Sequence, residues 1–449
     1  MARLVRFAGM IVALAACAAV AWPRPAVRSD LAIEIEPINY LTAPVDDPVA
    51  RLQKRLDAGE VTLKFDADRG YLPSVLDALK IPESSQVLVF SKTSFQHTRI
   101  NRTRPRALYF QDDAYVGWVR GGDVLEFSVV DPWQGAVFYL LEQEREEKPV
   151  FRRQTHECLQ CHVSSRTQDV PGHFVRSVVP DRTGSPIFNA GTYVTSHESP
   201  LEHRWGGWYV TGTHGDQLHM GNVTATRTDD GRRDAPARLD MKAGANVLDL
   251  SDRIDTKPYL TGHSDIVALM VMEHQTQMHN FLANASYQTR IALYQQKSMN
   301  ESFGEPSGTI STGTRSRIDS AAEKVVRHML FVDETPLTAP IAGSTSYAKE
   351  FASKGPKDAK GRSLRDFDLT RRMFKYPCSY LIYSEPFDAL PDIAKDQIYK
   401  RLGEILTGRD TSKEFAHLSA DDRRAILEIL RDTKTGLPES LRSGGHAVR

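Results

Sequence analysis

The run AYVGWVRGGDVLEFSVVDPWQGAVFYLL, residues 114–141, decides the fold. It consists of short stretches rich in Val, Phe, Tyr and Trp, broken by Gly121-Gly122 and by Asp131-Pro132. A double glycine between β-rich runs closes a hairpin, and Asp-Pro marks a turn. Strands are therefore expected over Ala114–Arg120, Asp123–Val130 and Gly135–Leu141. Gln86–Phe90 and Arg106–Gln111 upstream have the same character, so the five are expected to form an antiparallel meander. Its aromatic side chains are expected to fill a core before serving any ligand.

Short helices are expected before the meander. Asp47-Pro48 opens one, with Val49, Leu52 and Leu56 at helical spacing and Gly59 as its stop; Pro73 to Lys80 is a second. After it come irregular chain with breakers at Pro171-Gly172, Pro180 and Gly184, further strands over Ile187–Thr195 and Gly207–Gly212, and a polar loop over 224–245. Asp265 to about Gln296 reads as a long helix, with Val267, Met270, Val271, His274, Met278 and Phe281 on one narrow stripe. Residues 301–317 are Ser/Gly/Thr-rich and read as a linker. Beyond it, Ile318–Leu330, Ile393–Leu406 and a helix capped at Ser419 make the chain mainly helical. The expected class is α+β: an antiparallel β-rich N-terminal and central region, then a mainly helical C-terminal region.

The 449 residues suffice for two or three compact units, and 57 basic against 57 acidic residues balance to zero, which disfavours nucleic acid. Arg3 and Arg6 precede an apolar run from Phe7 to Trp22, the form of an export signal over 1–21. Ala19-Val20-Ala21 offers simple cleavage, the preferred route. Leu14-Ala15-Ala16-Cys17 offers lipidation at Cys17, and an uncleaved anchor is the third option. Expected boundaries are a tether over 22–45, small helices and meander over 46–145, a central functional region over 146–300, the linker, a helical region over 318–441 and a disordered tail over 442–449. The expected location is the periplasm, soluble or membrane-tethered.

The functional signal is Cys158-Leu159-Gln160-Cys161-His162. C-x-x-C-H is the spacing of a c-type haem attachment site: each thiol adds to one vinyl group, and the histidine is held beneath the iron as an axial ligand. Two rivals use the same residues. One is a zinc site of His156, Cys158, Cys161 and His162, which lacks a second Cys/His pair at motif spacing. The other is a redox-active CxxC pair, which would follow a strand of a βαβ unit rather than the charged run Glu142–Arg153. Covalent attachment of haem outside the cytoplasm agrees with the export signal. Cys378 is then left alone and reads as a buried small hydrophobe.

At these five residues the chain resembles the c-type cytochromes. The resemblance implies one covalent haem c on Cys158 and Cys161, with His162 as axial iron ligand, and Arg166, Arg176 and Arg182 are available for its propionates. In small members of the family a methionine some tens of residues later is the second ligand; Met220 falls in that range, with His214 and His219 as neighbours. His274 in the apolar stripe is the other candidate for the distal position, and Met278 one turn on could pack against haem. His279 is weaker, and His173 is close enough in sequence for the distal side. The small all-helical cytochrome fold is not implied, because the motif lies mid-chain between strand-rich regions. The function expected is single-electron transfer between redox protein partners. The alternatives are a haem oxidoreductase with an open distal position, peroxidase-like or gas-binding, and a scaffold or sensor with structural haem or zinc. Whether a substrate is turned over stays open.

Overall fold

The computed structural model describes residues 33–226 and 237–442. The expected export signal, Cys17 within it, and positions 443–449 of the expected tail lie outside the described residues. The fold is α+β, with an antiparallel sheet of six strands and helices mostly in the C-terminal half. The strands are β1 (Val87–Val89), β2 (Arg106–Phe110), β3 (Ala114–Trp118), β4 (Val124–Asp131), β5 (Gly135–Glu142) and β6 (Arg152–Gln154), paired in chain order as a meander. Gly121, at φ +67°, supplies the left-handed residue of the β3–β4 turn. The expected strands are all present: β1 to β3 are shorter by one or two residues, β4 is shifted by one and β5 runs one residue further. β6 was not expected, since Arg152-Arg153-Gln154 has no apolar pattern; it is held through main-chain pairing to β5 at the sheet edge, where charge is tolerated.

Strand periodicity gives this sheet two different faces. Tyr109, Val116, Leu125, Val129, Val137 and Leu141 pack with helices α1 (Pro48–Asp57) and α2 (Leu72–Ala78) in a core of their own. Asp47, fully buried, caps α1 through Val49 N and Ala50 N, both at 2.9 Å, and accepts the Tyr139 hydroxyl at 2.6 Å. The opposite face carries two rows that are continuous across strands. Leu108, Gly117, Glu126 and Leu140 form one; Tyr115, Ser128, Phe138 and Gln154 form the other.

That second face looks toward α3 (Leu159–His162), the loop that follows it, and α4 (Ile266–Phe303). α4 has 38 residues, about 57 Å at 1.5 Å per residue. Asp265 caps it and Gly304 ends it in the left-handed region. The expected single stripe is only one side of it. Val267, Met270 and Met278 join the core of the C-terminal helices, while Gln275, Thr276, His279 and Asn280, on the sheet side, are equally buried. Buried polar residues there conceal the second stripe from hydropathy.

Helix α5 (Thr312–Met329) packs on α4, followed by α6 (Tyr347–Ser353), α7 (Glu385–Asp388), α8 (Asp392–Leu406), α9 (Ala420–Thr433) and α10 (Glu439–Arg442). Helix α9 begins with a capping box of Ser419 and Asp422. The expected linker over 301–317 is corrected: helix occupies both its ends, leaving 304–311 as a short connection. Gln296 accepts from Ser311 N (3.1 Å) and Thr314 Oγ1 (2.7 Å), and Asn300 donates to Thr309 O (2.9 Å). The polar composition there serves caps and straps, and one core runs on from sheet residues to Leu441.

The described part of the expected tether is corrected as well. Ile33, Ile38 and Tyr40 are buried against Ala136, Phe138 and Leu159, and the Tyr40 hydroxyl donates to Ala136 O at 2.7 Å. Two short ribbons complete the sheets: β7 (Val175–Val178) with β8 (Thr192–Thr195), and β9 (Gly212–Thr213) with β10 (Ala342–Gly343). Of the strand expected over 187–195 only Thr192–Thr195 forms, and of that expected over 207–212 only Gly212 belongs to a strand. Among the described residues no helix is long and apolar enough to cross a membrane.

Candidate cofactor site

The pentapeptide folds into a single helical turn, with Cys161 N and His162 N both donating to Cys158 O, at 3.2 and 3.0 Å. Residues three apart on a helical turn are neighbours, so the two thiols stand side by side. Cys158 is half-buried, Cys161 exposed, and neither is in a disulfide. Burial, followed by the charges of Glu126 and Glu157, pushes the Cys158 thiol up to about 11.

His162 is held by a closed loop. Gly172 N donates to His162 O at 3.0 Å, and His162 Nδ1 lies 2.8 Å from Gly172 O. A carbonyl can only accept, so Nδ1 carries the hydrogen and Nε2 keeps its lone pair. Among the described residues the ring's one hydrogen bond is that of Nδ1. Burial holds the imidazole below its ordinary value, which keeps it neutral as a metal ligand requires. Phe138 (4.7 Å between centroids) and Phe174 (5.1 Å) flank the ring. Thr167 Oγ1 lies 3.2 Å from His162 O and 2.8 Å from Val170 O, and so braces the loop. Asn280 of α4 clamps its end: Oδ1 accepts from His173 N (2.9 Å) and Nδ2 donates to His173 O (2.6 Å).

Cys158, Cys161 and His162 together line a cavity of about 340 Å³ between the second sheet face, this loop and α4. That lies within the range of small-molecule and cofactor sites, and its walls are mainly apolar, including Leu108, Phe138, Leu140, Phe174 and Trp208. The face therefore serves a cavity rather than only a core, which modifies the expectation for its aromatics. Gly117 keeps the floor low: a Cβ there would lie 2.2 Å from the Arg106 guanidinium. Arg106, paired with Glu126 at 2.5 Å, is the cation of the lining. Arg166, Arg176 and Arg182 do not line it; Arg176 sits over the Phe188 ring and donates to Thr192 Oγ1.

The distal candidates are dispersed. His274 is not in the cavity wall. It projects from the other side of α4, with Nδ1 2.9 Å from His197 Nδ1 and Nε2 2.8 Å from Ser379 Oγ. Its assignment as a distal ligand is therefore corrected, because a helix separates it from the thiols. His219 accepts from Gly221 N and packs on Trp205 and His214, and Met220 lies against Val179 and Ala225, both away from the cavity. Met278 is in the helical core, and His279 Nε2 is 2.8 Å from Asp112 O. His173 does line the cavity, as does Met272, which sequence reasoning passed over. His173 Nδ1 bonds Ser128 Oγ at 2.8 Å, while its Nε2 is buried with no partner among the described residues. Burial, then His279 and His162, holds it well below the ordinary value. Its spacing of eleven from His162 is the only sequence sign of this role.

Two rival chemistries fit less well. A reactive CxxC thiol needs a depressed pKa, and that of Cys158 is raised. Among the described residues, His156, Cys158, Cys161 and His162 do not bring three donor atoms within 4.8 Å of one another, and His156 is exposed. The residues fit a covalently held haem instead: paired thiols, a neutral imidazole with a free Nε2, and an adjoining apolar cavity. Comparison with protein-family models, curated proteins and solved structures finds no match.

Proposed function

We propose that the chain is an exported c-type cytochrome that passes single electrons through one haem c, attached to Cys158 and Cys161 and ligated by His162. The observation that carries this is the His162 Nδ1–Gly172 O hydrogen bond, which leaves Nε2 as a lone-pair donor beside two adjacent thiols on an apolar cavity. Haem supplies the redox chemistry when bound. The protein holds the imidazole tautomer through the Gly172 carbonyl and excludes water with Phe138, Phe174 and Trp208; His173 and Met272, in the same lining, would be the side chains available as a further ligand. Its partners are other redox proteins in the periplasm.

The buried, unpartnered Nε2 of His173 also favours a second reading, a haem oxidoreductase in which His173 is a distal acid–base group. One experiment addresses both. The chain is exported in a host that matures haem c, and spectra are taken oxidised, reduced with dithionite and with carbon monoxide. Covalent haem unchanged by carbon monoxide supports the electron carrier; a carbon monoxide shift moves the function to the second reading. Cys158→Ala with Cys161→Ala is expected to abolish attachment. Efficient export without covalent haem would overturn both.

A further inference from the structure

On the side of α4 opposite the cavity, three histidines from separate elements meet. His197 follows β8, His274 is in α4, and His328 is in the last turn of α5. They are 2%, 0% and 2% exposed, and each brings one ring nitrogen within 4.8 Å of both others. Phe331 stacks on His274 (4.4 Å) and lies against His197 (4.7 Å), giving the cluster an apolar shell. We propose that His197, His274 and His328, with the carboxylate of Glu198, bind one divalent transition-metal ion of the zinc class.

The hydrogen bonds are incomplete in a way that a cation completes. His328 Nε2 lies 3.2 Å from the His274 carbonyl, which can only accept, so Nε2 donates. His328 Nδ1 then turns a lone pair toward Glu198 Oε1 at 3.3 Å, an acceptor facing an acceptor. His197 Nε2 is buried without a hydrogen-bond partner among the described residues, 4.0 Å from the same oxygen. His197 Nδ1 and His274 Nδ1 are 2.9 Å apart, so without a metal one of them must spend its hydrogen on the other. In a tetrahedral site with bonds of 2.0–2.1 Å, ligand atoms lie about 3.3 Å apart, a spacing that the 2.9 Å and 3.3 Å contacts here bracket. Ser379 Oγ at His274 Nε2 is the outer contact that orients such a ligand.

The donor set selects the ion. Imidazoles with one carboxylate suit zinc, iron, nickel or copper(II), and lack the thiolates that favour copper(I). Three neutral imidazoles and one carboxylate leave a divalent ion with a single net charge. Arg204, which donates to His197 O, is turned to Glu273 at 3.1 Å. Glu198 is 47% exposed and gives the ion a way in. Bound there, the ion would staple the β7–β8 ribbon to α4 and α5.

The test uses the haem-loaded full chain, whose thiols are occupied, stripped with dipicolinate and given Zn²⁺. If haem does not load, the Cys158→Ala/Cys161→Ala chain replaces it, so failure of the haem proposal leaves this one testable. One equivalent of zinc per chain by elemental analysis, with a raised melting temperature, is expected. His274→Ala and His328→Ala should lose uptake. Because these core changes could prevent folding, Glu198→Gln at the exposed edge is the second variant, expected to weaken zinc binding at least tenfold. No uptake of Zn²⁺ or Ni²⁺ by the folded chain would overturn the proposal and leave the 3.3 Å contact as a proton-bridged ion pair. Uptake unchanged by folded His274, His328 and Glu198 variants would overturn it equally.

Discussion

Gly172→Ala should damage the loop that walls the cavity. A Cβ at 172 would lie 2.2 Å from Asn280 Oδ1 and 2.8 Å from Thr167 Cβ. Either the Asn280 amide swings away, releasing its two bonds to His173, or the loop shifts and releases the reciprocal pair between Gly172 and His162. Two hydrogen bonds at about 1 kcal/mol each, with about 1–3 kcal/mol for overpacking, give about 3–5 kcal/mol. Asn280→Ala removes the same clamp without a clash, and leaves His173 N–H and C=O unpaired at about 2–6 kcal/mol in total. In the double variant the 2.2 Å contact no longer exists. Its loss should therefore fall short of the sum of the singles by about 1–3 kcal/mol. Urea denaturation of the four chains at neutral pH measures the cycle. Additivity to within about 0.5 kcal/mol would refute the steric account.

Three other outcomes follow from the same structure. In haem-free chain, a short alkylation pulse read by mass spectrometry should label exposed Cys161 first. Cys158, held at about 11, should react roughly a few hundredfold more slowly than a free thiol, and Cys378, fully buried and pushed up to about 12, only after unfolding. Asp47→Ala should cost about 2–4 kcal/mol, from a lost cap and a stranded Tyr139 hydroxyl, and Asp47→Asn clearly less, by denaturant titration. Burial, with His214 second, holds His219 at about 3, so the unfolded chain protonates at 6.5 and the folded chain only near 3. Its contribution is complete above 6.5 and declines by about 1.4 kcal/mol per pH unit as the pH falls. Glu273 and Glu334, held near 7, work the opposite way between 4.5 and 7, so the whole-protein curve is a poor readout. The stability difference between wild type and His219→Gln should instead shrink by about 2 kcal/mol between about pH 7 and pH 5, and parallel curves would refute the assignment.

What could be read in advance was whatever is written locally. Alternation of polarity with Gly121-Gly122 and Asp131-Pro132 places β3 to β5, and Asp47 and Ser419 mark helix starts because capping needs only neighbours in sequence. Cys158, Cys161 and His162 are brought together by one helical turn, so the spacing alone shows them. His173, Met272 and the His197–His274–His328 cluster are assembled by tertiary packing, and no spacing announces them. The tether and linker failed for a related reason. Ile33, Ile38 and Tyr40 are too few to form a pattern, and Ser311 and Thr314 look like linker composition until Gln296 is seen to accept from both.

The hardest case, α4, shows why polarity can report position rather than exposure. A polar side chain buried without partners costs about 1–3 kcal/mol, so a helix cannot carry several inside a protein unless each is met. On its sheet side Thr276 turns its hydroxyl back to Glu273 O of the same helix (3.1 Å), and four others are met by distant groups. Gln275 donates to Tyr115 Oη (2.7 Å) and accepts from Tyr380 Oη (2.6 Å). His279 reaches Asp112 O, Asn280 clamps His173, and Asn284 donates to Gln168 O. These bonds fix the helix in rotation and in register, since a slip of one residue would strand them all. The loop that holds His162 is thereby tied to the helix that carries His274 on its other side. A one-residue insertion in α4 ahead of Gln275 should thus loosen the cavity and the histidine cluster together, whereas one after Asn284 should leave both in place.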